Sequence, residues 1–570
     1  MIEVNDSLQA RLYRRFDEDP ERAALAFIDR RGRFRWWSVR EAYDRAARYG
    51  AGLVERECGS GERCVLVLPS DEECAFVLLG ALLAGAVPLL VAPPILQQSR
   101  HSAFLDNLDH TLQIVRPRVV VTAPHLMASA GASSAVEGGQ VVEPGVLASS
   151  GGGLPPRPRP HSDDTAALQL TSGTTGVPRV CRWTQGAVLA ALDGMEGAMG
   201  LASDDVCFNW TPLYHDMGLV NNFFLCLTSG VPLAMLSPTD FVVRPARWLR
   251  GLHDTGATVS WSPNFGFALA TERVAEAELE GVRLDRVRAL WNAAERIHVE
   301  TMLGFHARFA PLGLALEALK TNFGCAENVG GATFGNLGAP FRWEEVDRES
   351  LHDEAVARPA DPGVEGSIRI ASAGRPVESM RIVIADDHDR PLPEGRVGQI
   401  LLATRSRMSE YVEDPAATSE ALGEDGLLRT GDLGYVRDGE LFWTGRARER
   451  ITVRGKKIDP SEFERILFRI PGLRPGCFAA FGIADPTRGT ENPVVVCEVQ
   501  DPVDRPLADI AADVHEAANA ELGLMLDDVV LVGRGTLAKT SSGKRRHRHF
   551  REVYEAGGLT ALHSAARRAG

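Results

Sequence analysis

A hydroxyl-rich segment at residues 170–179, LTSGTTGVPR, carries the groups that a phosphate-binding loop needs. Its glycines let backbone N–H groups turn inward, and its short hydroxyl side chains add donors without blocking a polyphosphate. The candidate binding residues are Thr171, Ser172, Gly173, Thr174, Thr175 and Gly176. The Walker A spacing G-x-x-x-x-G-K-[ST] is absent. A polar surface turn would have the same composition, so this segment alone leaves both interpretations open.

A second candidate site combines Asp432, in the sequence Thr-Gly-Asp, with the later Arg446. A carboxylate in a glycine-framed turn can accept hydrogen bonds from both hydroxyls of a ribose. The residues between the two predict a hairpin, which would return Arg446 to the same ligand. The alternative is an ordinary hairpin with a turn-capping Asp.

Lys544 closes a third candidate segment, LAKTSSGK at residues 537–544. A lysine on a glycine-containing loop can bring a mobile positive charge to a phosphate. We expect the basic residues that follow, 545–551, to form a solvated tail.

Short apolar runs alternate with helical patterns through the first 300 residues, which predicts an α/β sheet covered by helices on both faces. The predicted strands are Arg63–Leu68, Val87–Ala92, Arg118–Thr122, Val206–Trp210, Thr258–Ser262 and Arg288–Asn292, with helices at Ser38–Arg56 and Pro245–Thr255. Residues 126–162, rich in Ser, Gly, Ala and Pro, predict a flexible surface excursion.

Closely spaced apolar strands follow residue 367 and predict a β-rich subdomain. After residue 450 a further α/β pattern appears, with helices at 462–470 and 507–522 and strands at 477–483 and 494–499. About 120 residues suffice for one small independent domain.

Composition excludes several classes of protein. With 44% hydrophobic and 24% charged residues in 570, the chain is no disordered, collagen-like or coiled-coil protein. A net charge of −14 argues against non-specific binding to nucleic acid. Nine cysteines without a C-x-x-C, and no H-E-x-x-H, argue against a zinc site or a disulfide framework.

Two features bear on location. The N-terminal MIEVNDSLQARLYRRF is charged and indicates no signal peptide, so we expect a cytoplasmic protein. The apolar run at residues 75–94 has the length of a membrane span, but Pro88 and two glycines interrupt it. It therefore predicts a buried helix of about 14 residues and then a buried strand rather than an integral membrane segment.

In order, the motifs TSGTTGxP, aromatic-Gly-x-x-Glu, TGD, TGR and a C-terminal SGK resemble those of the adenylate-forming superfamily, which includes acyl-CoA synthetases, peptide-synthetase adenylation domains and luciferases. The matching elements run from about residue 60 to 550. The chain is most similar to the fatty acyl-AMP ligases, through PLYHDMGL at 212–219, WSPNF at 261–265 and NAAE at 292–295. Residues 335–371 stand where these ligases carry an insertion that acyl-CoA synthetases lack.

The resemblance implies an α/β fold in two domains. A large N-terminal domain, residues 1–447, would hold two α/β subdomains and a β-barrel, with the insertion at about 335–371. A small mobile α/β domain, residues 448–570, would turn about a hinge at Arg448 and carry Lys544 out of the site for the second step.

The resemblance also implies roles for particular residues. Lys544, His215 and Glu327 would be catalytic, with Glu327 and Thr174 as ligands of Mg²⁺. The nucleotide would be held by the hydroxyl-rich segment and by Asn322, Phe323, Gly324, Asp432 and Arg446. The acid would lie in a pocket formed by Asn221, Asn222, Pro263, Asn264, Phe265 and Ala294.

The implied reaction is ATP-dependent activation of a carboxylic acid to an acyl-adenylate, followed by transfer to a thiol, as in lipid or polyketide natural product biosynthesis. An acyl carrier protein is the expected acceptor, through its phosphopantetheine. One alternative is an acyl-CoA ligase that uses CoA as acceptor for an unusual, non-linear carboxylic acid, with a weakened half-reaction left open. Another is a silent relative that binds nucleotide or protein. No G-x-S-x-G occurs to support a hydrolase.

Some positions depart from the family pattern. Arg179 replaces the usual lysine of the phosphate loop, Gln185 the usual histidine, and Ala538 the proline before the last lysine. Asn221 and Asn222 stand where related ligases have glycine at the acyl channel. These bulkier polar groups predict a shortened or redirected pocket, so a long straight acyl chain is not implied.

Overall fold

A computed structural model describes residues 6–29, 32–94, 101–131, 139–171, 178–364, 366–453, 456–485, 490–539 and 545–566. Its strands are β1 (Ala23–Ile28), β2 (Phe34–Ser38), β3 (Arg63–Val67), β4 (Val87–Leu90), β5 (Val119–Thr122), β6 (Gln140–Val142), β7 (Thr165–Leu170), β8 (Val180–Thr184), β9 (Cys207–Asn209), β10 (Leu233–Met235), β11 (Val259–Ser262), β12 (Ala289–Asn292), β13 (Leu319–Cys325), β14 (Gly330–Phe334), β15 (Trp343–Asp347), β16 (Ser367–Pro376), β17 (Arg381–Ala385), β18 (Gly398–Ala403), β19 (Glu410–Tyr411), β20 (Leu428–Arg437), β21 (Glu440–Arg446), β22 (Ile451–Val453), β23 (Lys456–Ile458), β24 (Leu473–Asp485), β25 (Thr490–Val499), β26 (Asp528–Val532) and β27 (Ala561–Ser564).

The α-helices are α1 (Leu8–Glu18), α2 (Val39–Val54), α3 (Glu72–Leu83), α4 (His101–Val115), α5 (Met127–Gly131), α6 (Pro144–Ala148), α7 (Gln185–Met199), α8 (Asp216–Gly218), α9 (Leu225–Ser229), α10 (Pro238–Val243), α11 (Ala246–Thr255), α12 (Asn264–Arg273), α13 (Val299–Phe309), α14 (Arg348–Asp353), α15 (Pro415–Ala421), α16 (Glu462–Leu467), α17 (Leu507–Leu522) and α18 (His547–Glu555). A π-helix, Leu219–Phe224, joins α8 to α9. The fold is mixed α/β, and the strands and helices predicted from apolar periodicity are confirmed to within a few residues.

The larger sheet contains a parallel core in which β9, β11, β12 and β13 lie side by side. These strands are short and fully or nearly fully buried, as their continuous apolar runs predict. Because parallel strands end at the same edge of a sheet, the segments that follow these four strands meet there.

A second, seven-stranded sheet has the order β19-β8-β7-β4-β3-β5-β6. Helices α2 and α3 cover this sheet. Helix α2 begins with a capping box of Ser38 and Glu41, and α3 begins with Asp71 as its N-cap. They cross at Gly50 and Gly80, where a Cβ on Gly50 would lie 2.6 Å from the Gly80 carbonyl oxygen, so only glycine allows this approach. The apolar run at 75–94 thus forms a helix and a strand, and none of the described helices is long and apolar enough to span a bilayer.

The prediction of a flexible excursion at residues 126–162 is wrong for residues 127–131 and 140–148, which form α5, β6 and α6, and residues 132–138 lie outside the described part of the chain. Strand β6 extends the second sheet beside β5. Helix α6 packs on α2, where Leu147 is fully buried and a Cβ on Gly52 would lie 2.5 Å from its carbonyl oxygen. The few apolar residues among Ser and Gly are sufficient to dock the segment, which composition alone did not reveal.

Strands β14, β16, β21, β20, β18 and β17 continue the large sheet as an antiparallel, β-rich region. Along the described strands this pairing follows an open path, so a closed barrel stays a prediction. The hairpin of β20 and β21 turns at Asp438 and Gly439, whose φ angles of +52° and +75° suit a two-residue hairpin turn.

The segment after β21 has its own sheet, β24-β25-β26-β27, and its own core. That core is formed by Ile451, Phe463, Val495, Val514, Leu531 and their neighbours. The prediction of a solvated tail at residues 545–551 is wrong, because α18 packs on β24 and His547 is buried. His547 accepts a hydrogen bond from the Ala480 N–H at 3.1 Å, and burial lowers the pKa of its imidazole to about 3.

Candidate functional site

A cavity of about 970 Å³ lies where the two sheets and the C-terminal segment meet. The predicted site residues on its wall are Thr171, His215, Asn221, Ala294, Asn322, Phe323, Gly324, Glu327, Asp432, Arg446 and Arg448. The structure therefore brings the Phe-Gly-Cys-Ala-Glu and Thr-Gly-Asp segments, far apart in sequence, into one cleft. Ser172, Gly173, Thr174, Thr175, Gly176 and Lys544 lie outside the described residues, and their roles stay predictions.

Strand ends explain this convergence. His215 follows β9, Ala294 follows β12, and Glu327 follows β13, so all three lie at the carboxyl edge of the parallel core. His215 caps the short helix α8, and the Met217 N–H lies 3.1 Å from its Nδ1 atom and 2.8 Å from Asp216 Oδ1. The imidazole is fixed by its own backbone and is 14% exposed.

Four predicted pocket residues are not on the described cavity wall: Asn222, Pro263, Asn264 and Phe265. They lie directly behind it. The Asn264 side chain accepts hydrogen bonds at 3.1 Å from Asn292 Nδ2 and from the His298 N–H. The Phe265 N–H donates to Glu295 at 2.6 Å. In this structure these residues support the wall that Ala294 and Glu295 present to the cavity.

The predicted phosphate loop joins two antiparallel strands, β7 and β8. Its two ends are tied together, because the Thr171 N–H donates to the Arg179 carbonyl at 2.9 Å and the Arg179 N–H donates to Thr171 Oγ1 at 3.1 Å. The Arg179 guanidinium lies 3.1 Å from Asp414 and 5.3 Å from the centre of the Tyr411 ring. The arginine that replaces the family lysine is thus held at the loop by two partners.

Glu327 is positioned by contacts that the sequence did not reveal. The Tyr411 hydroxyl donates to Glu327 Oε1 at 2.7 Å, and the Trp183 indole donates to the Ala326 carbonyl at 2.7 Å. Burial, and then the charge of Glu327, raise the pKa of Tyr411, so the phenol stays a donor. A fixed carboxylate in a cleft suits Mg²⁺, which is bound through one or two carboxylates together with substrate phosphates. Glu327 therefore fits the metal, and the other predicted ligand, Thr174, lies outside the described residues.

Asp432 and Arg446 face each other across the β20–β21 hairpin, with Arg446 Nε 3.3 Å from Asp432 Oδ1. The Asp438–Gly439 turn and one register shift between Leu433 and Gly434 set this pairing. The charge of Asp432 raises the pKa of Arg446. The hairpin was predicted correctly, but Asp432 lies within strand β20 rather than in a turn.

A charged cluster on the C-terminal side of the cavity was missed from the sequence. Arg545 donates to both carboxylate oxygens of Glu464, at 2.9 and 2.7 Å, and His298 Nε2 lies 3.0 Å from the same carboxylate. Burial raises the pKa of the nearby Glu295, against the charge of Arg545. Only the apolar spacing of α16 hinted that Glu464 belongs to a packed helix.

Similarities to known proteins identify the family of this chain. Residues 12–412 match the model of the AMP-binding enzyme family. The chain is 30% identical to the 4-hydroxyphenylalkanoate adenylyltransferase of Mycobacterium marinum, over 98% of this chain and 93% of that protein. It is 29% identical to the medium-chain-fatty-acid–[acyl-carrier-protein] ligase JamA of Moorena producens, over 88% of this chain and 87% of JamA.

A solved structure from a study of fatty acyl-adenylate ligases of E. coli and L. pneumophila superposes with a TM-score of 0.89. It is 25% identical and covers 98% of this chain and 100% of that one. The chain therefore belongs to the family of AMP-binding enzymes. Within that family, the chain is similar to fatty acyl-AMP ligases.

Proposed function

We propose that this enzyme activates a carboxylic acid with ATP to an acyl-adenylate and passes the acyl group to the phosphopantetheine thiol of an acyl carrier protein. The observation that carries the first step is the single cleft that gathers Glu327, Asp432, Arg446 and His215. The relative that acts on an acyl carrier protein supports the second.

The chemistry of the first step requires charge screening, because a carboxylate attacks an equally anionic α-phosphate. Asp432 would hold the ribose, with Arg446 beside it, and Phe323 would lie against the base. Lys544 would place its ammonium between the carboxylate and the α-phosphate, stabilising the negative charge that develops there. His215 would orient the acid. When bound, Mg²⁺ would screen the phosphate oxygens, held by Glu327 and Thr174.

The second step requires a change of arrangement, and we assign it to a small domain of residues 448–570. Strand β21 ends at Arg446 and β22 begins at Ile451, so Arg448 lies in the short connection between the large sheet and the separate C-terminal core. The Arg448 side chain is 55% exposed and pairs with Glu420 on α15, which a rotation about this point would break.

The segment 335–371 contacts the C-terminal segment directly. Arg348 on α14 donates to the Glu521 carbonyl, and His352 Nε2 lies 3.1 Å from Glu462 Oε1. At the start of the segment the Lys320 ammonium donates to the carbonyls of Asn336, Leu337 and Ala339 at 2.7–2.9 Å. These contacts support a role for the segment in the choice of acceptor.

ATP–pyrophosphate exchange with a panel of carboxylic acids tests the adenylation step. Lys544→Ala should lower the exchange rate by roughly 10²–10³-fold, as removal of a charged group from a transition state commonly does. Lys457→Ala, at an exposed lysine of β23, should leave the rate unchanged. Exchange that Lys544→Ala does not diminish would remove that residue from its role.

Thioester formation with holo-carrier protein against free CoA tests the acceptor. We expect transfer to the carrier protein and little to CoA. An equal or faster reaction with CoA would favour the acyl-CoA ligase instead. Adenylation without transfer to either thiol would restrict the proposal to its first step.

A further inference from the structure

One polar side chain on the cavity wall belongs to the predicted acid pocket. Asn221, on the π-helix, is 4% exposed and lies on the cavity wall with Gly330 and Ala294. Its Oδ1 atom accepts the Gly331 N–H at 3.2 Å. This contact sets the orientation of the amide, so its NH₂ group is directed away from β14. Among the described residues, none accepts a hydrogen bond from Asn221 Nδ2.

The neighbouring Asn222 has a different role. It is fully buried, and its NH₂ group donates to the Met217 carbonyl at 2.8 Å. That bond satisfies a backbone acceptor next to the π-helix, whose widened turn brings Asn221 to the wall. Of the two asparagines, only Asn221 is placed to contact a substrate.

Aromatic rings pack beside Gly331, the residue whose N–H binds Asn221. A Cβ on Gly331 would lie 2.6 Å from Phe334 Cζ, so the Phe334 ring packs closely on Gly331 of the same strand, β14. Phe334 makes edge contacts with Trp291 at 5.1 Å and Trp261 at 6.0 Å between ring centres, and the two indoles stack at 5.5 Å. Both indoles are fully buried. Packed rings therefore occupy the space beside Gly331.

We infer that the preferred substrate is a compact carboxylic acid with a hydrogen-bond-accepting oxygen, such as an oxo acid, and that Asn221 Nδ2 donates to that oxygen. The inference rests on the adenylation activity proposed above and names its substrate class. A site built around a donor discriminates strongly against analogues that lack the acceptor, because the buried NH₂ group then stays unpaired. An apolar chain of the same size gains no compensating contact there.

The test compares isosteric acids in ATP–pyrophosphate exchange. We would measure kcat/KM for 3-oxobutanoate, 4-oxopentanoate and 5-oxohexanoate, for the matching methyl-branched acids without the oxo group, and for dodecanoate. The best oxo acid should exceed its branched isostere by roughly 10–100-fold, the range of one lost hydrogen bond to a buried donor. Dodecanoate should be poorer still.

The Asn221→Asp variant separates recognition from packing. It keeps an oxygen to accept the Gly331 N–H, yet it replaces the donor by a second oxygen. The ratio of kcat/KM for the oxo acid to kcat/KM for its isostere should fall to about one or below, while the KM for ATP stays the same. Asn336→Asp is the matched control, since that exposed asparagine also accepts a backbone N–H, from Gly338 at 2.9 Å.

The outcomes separate this inference from the proposed function. Dodecanoate used as well as any oxo acid, or an unchanged preference in Asn221→Asp, would overturn the assignment of Asn221 while leaving adenylation intact. Exchange with no acid of the panel, dodecanoate included, would instead overturn the proposed function. A preference for the oxo acid in the wild type that Asn221→Asp abolishes would support both.

Discussion

Arg545 and Glu464 form a two-pronged ion pair, with nitrogen–oxygen distances of 2.9 and 2.7 Å. Both side chains are largely buried, at 12% and 20% exposure. Arg545 directly follows Lys544 in the sequence, and His298, just before α13, contacts the same carboxylate. The pair therefore fixes Arg545, the residue next to Lys544 in the sequence, at the cavity wall.

Glu464→Gln should weaken both the fold and the first half-reaction. The variant keeps the size of the side chain but leaves the Arg545 charge without its partner, which typically costs about 3–5 kcal/mol for a buried pair. We expect the free energy of unfolding in urea to fall by roughly 3 kcal/mol and the pyrophosphate-exchange rate to fall by about tenfold or more.

The control for that variant is Glu552→Gln on α18, whose exposed pair with Arg548 should contribute less than about 1 kcal/mol. Equal exchange rates in Glu464→Gln and the wild type would show that the anchor does not position Lys544.

Asp432→Asn should raise the KM for ATP by roughly 10–100-fold, because hydrogen bonds from the ribose to a carboxylate are worth about 1.5–3 kcal/mol. The kcat should change less, since the ribose is remote from the reacting atoms. Steady-state kinetics check this, with Asp438→Asn as the control, because that 67%-exposed carboxylate lies at the turn of the same hairpin. An unaltered KM for ATP would contradict ribose binding at Asp432.

Much of the scaffold could be predicted because the relevant signals are local. Buried parallel strands such as β11 and β12 are continuous apolar runs in the sequence, and the dipeptide Asp438–Gly439 predicts the turn of its hairpin. The resemblance of short motifs then indicated the residues around the cavity. Whether Asp432 faces Arg446 depended on a register shift that no local pattern shows.

The parts that were missed depend on contacts between distant segments. Tyr411 reaches Glu327, and Arg545 reaches Glu464, across 84 and 81 positions of sequence. Nothing in the composition of either segment specifies such a partner. The docking of α6 was not predicted for the same reason, because the glycine-rich sequence around this helix resembles that of a mobile loop.

Glu462 makes the stability of the protein depend on acidity. It is 4% exposed, and although burial opposes its ionisation, the charges of His352, Arg296 and Arg348 lower its pKa to about 2. A carboxyl whose pKa is lower in the folded state stabilises that state fully at pH values above its unfolded pKa, near 4.3. This stabilisation is lost as the pH falls from there toward the folded pKa of about 2.

We therefore expect Glu462→Gln to be less stable than the wild type by roughly 3 kcal/mol at pH 6, with the difference shrinking between pH 4.5 and 3. Urea unfolding at each pH measures it, and Glu280→Gln, at an exposed carboxyl, should show no such dependence. A difference that is constant from pH 6 to 3 would rule out the charge of Glu462 as its source.

Cys325 offers a direct probe of the cavity. It is the partly exposed cysteine on the cavity wall, whereas the other eight are buried. Burial, and then the charges of Glu327 and Asp432, raise the pKa of its thiol. Iodoacetamide should therefore react slowly at pH 7.5 and about tenfold faster per pH unit up to pH 9.5.

ATP should slow this alkylation of Cys325 if the nucleotide binds beside Phe323 and Gly324. Mass spectrometry locates the modified residue, and Cys325→Ala should remove the reaction. A rate indifferent to saturating ATP would place the nucleotide away from this wall, and faster labelling of another cysteine would contradict the greater exposure of Cys325.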